Sequence, residues 1–176
     1  MVDAYERLSD ESRYRRFLSP HKQLTDAELR YFTEVDHHDH EALVAGDPES
    51  GEWVGVARYV RSPAVPESAE VAVTVIDDWH GCGVGTRLTM ELAKRALEEG
   101  VTTFTAVVLS DNAMMLNLLG DLGDVRIVSR DGGTVELAVE LSQTGIDHLR
   151  RLLKVVATGE IRPLARHERP QSGRDA

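Results

Sequence analysis

Cysteine is nearly missing from this chain: Cys82 stands alone among 176 residues. One thiol cannot close an internal disulfide, and such scarcity fits a reducing cytoplasm. Long apolar runs are missing too, and nothing approaches the ~20 residues that span a bilayer. Met1 to Glu6 has neither the basic start nor the apolar segment of an export leader. Positive charge is in deficit, since 20 basic and 30 acidic side chains leave a net −10. That balance excludes general nucleic-acid binding, which needs a basic footprint. It is compatible with a basic partner, such as an amine or a lysine-rich surface. The hydrophobic share of 41% and charged share of 28% are ordinary for a globular protein, and the length suits one domain with a real core. No internal repeat is present.

What is there concentrates in one stretch, Val71 to Leu88. Val71 to Ile76 is a β-branched run that reads as a buried strand. Gly81, Gly83 and Gly85 follow on alternate residues, where the missing Cβ atoms let a ligand come close to the backbone. From Arg87 the chain continues with Leu88, Leu92, Ala96 and Leu97 at helical spacing. A strand thus feeds a glycine-rich turn that opens a helix. The first helical turn leaves amide donors unpaired, and with the helix dipole they favour a phosphate or pyrophosphate. A P-loop would place Lys-Ser or Lys-Thr after its last glycine, where Thr86-Arg87 stand. A dinucleotide fingerprint spaces its glycines Gly-x-Gly-x-x-Gly, not Gly-x-Gly-x-Gly. The plain alternative is a strand–turn–helix with glycines for packing.

Along the chain, Ser9 caps a short helix reaching Phe17, acidic in its first turn and basic in its last. Thr25 and Glu28 form a capping box ahead of a second helix, from about Asp26 to Glu34. Asp36-His37-His38-Asp39-His40 carries metal-binding side-chain types. Consecutive residues on an extended chain point opposite ways, so the segment is read as a solvated loop or pocket rim, with no metal site. Strands over Glu41–Ala45 and Trp53–Arg61 form a hairpin, the second alternating Val54, Val56 and Val60. The central strand covers 69–76, the following helix closes at Gly100, and a buried strand spans 102–109. Asn112 caps a helix bearing Met114, Met115, Leu118, Leu119 and Leu122. Val125–Ser129 and Thr134–Leu141 pair through Asp131-Gly132-Gly133. Gln143–Thr158 is an amphipathic helix. This order predicts a single mixed α/β domain over 1–158, its mixed sheet covered on both faces. The remainder, 159–176, reads as a charge-rich tail.

His80-Gly81-Cys82-Gly83-Val84-Gly85 resembles the Gln/Arg-x-x-Gly-x-Gly/Ala loop of the GNAT acyl-CoA-dependent N-acetyltransferases. The element order over about 5–141 is similar to that three-layer fold. The resemblance implies that the central strands, 69–76 and 102–109, splay apart and admit acetyl-CoA as cosubstrate. It implies that main-chain groups of Val73, Thr74 and Val75 bond the pantetheine arm. It places the diphosphate on a cradle built from His80, Gly81, Cys82, Gly83, Val84, Gly85 and Thr86. Asn112 matches a residue that contacts the coenzyme, and capping a helix is compatible with that role. Leu8 to Phe17, Glu41 to Ala45 and Leu109 to Asn112 are similar to bacterial Pat-type protein lysine acetyltransferase domains. Many of those are fused to a sensor or an acyl-CoA synthetase module. The present length leaves no space for one, so regulation is expected to be built in or absent.

An ammonium must lose a proton before its nitrogen attacks a thioester, and a carboxylate can take that proton. Glu70, in Ala69-Glu70-Val71, resembles the glutamate that family uses as base; its other reading is an edge carboxylate leading into a strand. Four departures from the family pattern stand out. His80 replaces Gln or Arg, and Cys82 replaces a common basic residue. Leu119 replaces a tyrosine that protonates the leaving thiolate. The opening strand is missing, and Glu160-Ile161-Arg162-Pro163-Leu164 is expected to dock in its place, in cis or from a second copy in a homodimer. Acetylation of a protein lysine leads the functional readings. A small-amine acceptor and a non-catalytic acyl-CoA sensor are the alternatives.

Overall fold

A computed structural model describes residues 5–20 and 23–157. After helical residues at Tyr5 and Glu6 come two short helices, α1 (Asp10–Phe17) and α2 (Asp26–Thr33). The Ser9 hydroxyl accepts from the Ser12 amide at the start of α1, and both bonds of the Thr25–Glu28 capping box form at α2. Strands β1 (His40–Gly46), β2 (Trp53–Arg61) and β3 (Ser68–Val75) make an antiparallel meander. A 3-10 turn, Asp77–Trp79, precedes the glycine loop and α3 (Val84–Glu98). Then come β4 (Thr103–Leu109), α4 (Ala113–Gly120), β5 (Gly123–Asp131), β6 (Thr134–Leu141) and α5 (Gln143–Ala157). The strands form one six-stranded sheet in the order β1-β2-β3-β4-β6-β5. Among the described strands only β3 and β4 are parallel neighbours, because α3 carries the chain back between them. The element order and the mixed α/β class expected from sequence are present.

The main core lies between the sheet and α3 and α5, where Tyr59, Leu92, Phe104, Ile146 and Leu149 are fully buried. Each such aliphatic side chain contributes roughly 1.5–3 kcal/mol by leaving water. A second cluster, Tyr5, Leu8, Val54 and Ile76, packs with Phe17 and Leu24 on the α1 side. Because β2 is covered on both faces, the expected alternation of Val54, Val56 and Val60 does not mark its core face. Ala57 and Tyr59 are buried in the main core, while Arg58 between them is 5% exposed against Phe32 of α2.

Some boundaries differ from expectation for identifiable reasons. Gly83, at φ 78, is the N-cap of α3, so the helix begins at Val84 and takes Gly85 and Thr86 into its first turn. β5 runs from Gly123 to Asp131 because it pairs with β6 down to the two-residue turn, where Gly132 and Gly133 both have positive φ. As an edge strand β5 is covered by little: Val125, Ile127 and Val128 are 44%, 48% and 46% exposed. The segment Glu160 to Leu164 and the rest of 159–176 lie outside the described residues. Among the described residues, no helix is long and apolar enough to cross a membrane.

The histidine-rich segment is a turn organised by Asp36, whose carboxylate accepts the amides of His38, Asp39 and His40. Its imidazoles diverge, His37 to Glu41, His38 to Glu99 and His40 to Arg58. Among the described residues, no three His, Cys, Asp or Glu side chains gather around a metal position.

Asp77 ties α1 to the end of β3. It accepts from the Ser9 amide at 2.9 Å, the Ser9 hydroxyl at 2.8 Å and the Ser12 hydroxyl at 2.9 Å. Partial burial works to raise the Asp77 carboxyl, but these bonds outweigh it and hold the group below its ordinary value. A depressed carboxylate adds stability above its unfolded pKa and loses it as pH falls through the folded one. Asp77→Asn should therefore cost about 1 kcal/mol at neutral pH, discounted for exposure, and lower Tm by roughly 2–4 °C. Thermal melts should show that gap closing only as the pH falls below the ordinary carboxylate value and through the lowered native one, where the folded carboxyl takes up its proton.

Candidate active site

β3 and β4 register at Ser68–Thr103, Ala69–Phe104 and Glu70–Thr105, and no further. On their outer sides β2 follows β3 to Val75 and β6 follows β4 to Leu109. The two central strands therefore part after Glu70 and Thr105 and leave a fork. Amide-to-carbonyl bonds from Ser62 to Ser68 and from Ile76 to Val54 set the phase of the β2–β3 ladder. Even-numbered residues of β3 thus bond β2, and alternation turns the main chain of Val71, Val73 and Val75 into the gap. Such groups demand partners, and an extended ligand can supply them as a strand would.

The fork opens into a cleft of about 400 Å³. Of the expected coenzyme positions, Val73, Thr74, Val75, His80, Gly85 and Asn112 line it. Thr74 contributes its side chain there, its main chain being turned to β2. Cys82, Gly83 and Val84 instead border a separate groove shared with Leu43 and Leu153. Gly81 is exposed at the tip of the loop and, at φ 72, holds a conformation that favours glycine. α3 has no side-chain cap, so the amides of Val84, Gly85 and Thr86 have no partner within the helix. His80 Nε2 donates to the Val75 carbonyl at 2.8 Å and latches the loop to the strand end. Asn112 Oδ1 accepts from the Met115 amide at 3.2 Å, the expected cap at the start of α4. Leu119 is fully buried in the core, and Leu118 takes the cleft wall.

Glu70 sits exposed at the crotch of the fork and is the only acid among the described residues lining the cleft. Two arginines missed in the sequence lie on the same side. Arg16 is half-buried, with its guanidinium 5.0 Å from the Phe17 ring centre and 5.9 Å from that of Phe32. Arg58 shares the Phe32 ring at 4.3 Å and donates to the Phe32 carbonyl at 3.3 Å. Burial pushes both guanidinium groups down, Arg58 to about 10, with the Arg16 charge adding to the effect. In the sequence Arg16 is one of several bases closing a helix, and Arg58 interrupts a strand pattern. Only the packing of α1 and α2 on β2 brings them together.

A parallel strand pair forked around a cleft, with an uncapped, glycine-lined helix start at its mouth, is the arrangement that the resemblance to acyl-CoA-dependent acyltransferase domains implies. The gap-facing main chain fits a pantetheine arm, and the orphan amides fit a diphosphate. The chain belongs to the acetyltransferase (GNAT) family, whose sequence profile matches residues 3–123. It is 41% identical over 133 residues to Acetyltransferase Pat of Mycolicibacterium smegmatis, covering 76% of this chain and 39% of that protein. The chain thus spans about two fifths of that curated relative. The GNAT domain of S. lividans PAT matches with a TM-score of 0.72 and 34% identity, over 80% of this chain and 82% of that one. The yncA protein of Salmonella typhimurium, solved with acetyl-CoA, shares the fold at a TM-score of 0.65 and 18% identity, over 81% and 89% of the two chains.

His80→Ala removes the latch but no main-chain donor. Calorimetry should show acetyl-CoA binding weakened about three- to tenfold, with the melting temperature nearly unchanged.

Proposed function

We propose that this chain transfers an acetyl group from acetyl-CoA to the side-chain amine of a protein lysine, with Glu70 as general base. The fork carries this reading, because it brings one carboxylate to the point where two strands open. Val71 and Val73 would hold the pantetheine arm through their main chain. Val84, Gly85 and Thr86 would hold the diphosphate through their amides, with His80 fixing the loop and Asn112 at the cleft wall. Bound there, acetyl-CoA supplies an acetyl thioester.

Glu70 takes the proton that the acceptor ammonium must shed before its nitrogen is nucleophilic. Its exposure at the crotch lets that nitrogen approach from the α1 side of the sheet. Gap-facing amides of β3 donate to the oxygen on which charge develops. α4 presents Met114, Met115 and Leu118 to the cleft, so it offers no proton to the departing sulfur. A thiol of pKa ~8.5 leaves readily enough near neutrality without that help. An open approach supports a macromolecular acceptor over a small enclosed one. Val107, on the same sheet face as Glu70 and beyond it, is 46% exposed, and among the described residues no helix closes the cleft there.

Glu70→Gln should lower kcat by about two to four orders of magnitude while leaving acetyl-CoA affinity intact. Steady-state assays on a lysine peptide, paired with calorimetry, make the check. Undiminished turnover would remove Glu70 from the mechanism.

A further inference from the structure

Arg16 and Arg58 present an unresolved charge. Both guanidinium groups share the ring of Phe32, in a setting that burial makes unfavourable to either cation. Desolvated charges are ordinarily paired with an opposite charge. Here neither arginine has a carboxylate within ion-pair distance among the described residues. Arg58 is held by neutral acceptors, the Phe32 carbonyl and the His40 ring. Arg16 makes no hydrogen bond among the described residues; only the field of Glu70, and more weakly Tyr31, favours its charge. The neighbouring cations are otherwise engaged, Arg15 with Glu11 at 2.6 Å and Arg13 with Asp10 at 3.3 Å. In a chain of net charge −10, the acceptor side of the cleft is thus locally cationic. Arg16 also borders both the cleft and a small apolar cavity of about 70 Å³ walled by Leu8, Phe17, Phe32 and Ile76.

We infer that the acceptor carries a carboxylate close to its reacting amine, and that Arg16 docks it, with Arg58 as a positioning residue behind the shared Phe32 ring. The inference rests on the reading of this cleft as an amine-acetylating site, and it names the charge of the acceptor. An incoming carboxylate supplies the charge the two guanidinium groups lack. It also holds the amine beside Glu70, so that recognition and proton removal occur on one wall. The carboxylate has two sources, an acidic side chain flanking the target lysine or a free α-carboxyl group on the acceptor.

Four capped probes separate the sources: the peptides acetyl-Gly-Asp-Lys-Gly-amide and acetyl-Gly-Asn-Lys-Gly-amide, and Nα-acetyl-lysine as free acid and as amide. With saturating acetyl-CoA, the carboxylate-bearing member of at least one pair should be preferred about tenfold in kcat/KM. The preferred pair names the source. Arg16→Gln should erase that preference, lowering kcat/KM for the acidic probe about tenfold more than for its neutral partner. Arg16→Lys should keep part of it, and melting curves with acetyl-CoA calorimetry verify that each variant folds. Equal use of all four probes by the wild-type chain, or a uniform loss in Arg16→Gln, would overturn the assignment. A second arm needs no turnover: calorimetric titration of the acidic probe into the protein with desulfo-CoA should lose affinity in Arg16→Gln. Unchanged affinity there overturns the arginine role. A wild-type chain that binds the acidic probe through Arg16 but acetylates nothing overturns the catalytic reading instead.

Discussion

Between β3 and β4 the ladder holds for three residue pairs and then lets go. Main-chain groups left without partners inside a sheet cost about 1–3 kcal/mol each, so such a gap closes unless something prevents it. Here the outer neighbours do so, since β2 and β6 hold β3 and β4 along their full lengths on opposite sides. His80 satisfies one orphan by donating to the Val75 carbonyl. Those of Val71 and Val73 stay directed into the cleft. The gap between the strands is therefore lined by backbone, and the register that keeps the strands apart sets its shape.

Two walls of this cleft belong to different parts of the chain yet are tied together by hydrogen bonds. α1 carries Arg16, and the loop after β3 carries His80 and the uncapped start of α3. Asp77 joins them, holding Ser9 and Ser12 three residues ahead of His80. The α1 wall of the cleft and the glycine turn are thus braced by the same carboxylate. The latch and the brace flank one short 3-10 turn, Asp77–Trp79, which has few ways to shift without disturbing both.

Features written in local sequence were legible. The Ser9 cap, the Thr25–Glu28 box, the Asn112 cap and the Gly132–Gly133 turn each depend on residues within a few positions of one another. The fork was legible only through family resemblance, because nothing in Val71 to Val75 says that β4 will stop pairing with it. Arg58 was illegible in a stronger sense. A charged residue at the centre of a strand reads as solvent-facing, and only the docking of α2 buries it against Phe32 and His40. Leu119 shows the converse. Matching it to a tyrosine position suggested a cleft residue, whereas the helix phase sends it into the core and hands the cleft to Leu118.

β5 closes the sheet on one side with a nine-residue edge whose outer row of amides and carbonyls has no neighbouring strand among the described residues. Arg126, Arg130, Asp124 and Asp131 stud it, which is how edge strands resist templating a copy of themselves. At neutral pH the net charge of −10 adds a general repulsion between molecules. Near the isoelectric point of about 5.1 that repulsion vanishes, and those few local charges must keep Val125, Ile127 and Val128 of separate molecules from zipping together. Loss of that repulsion favours association of folded molecules, a route separate from unfolding.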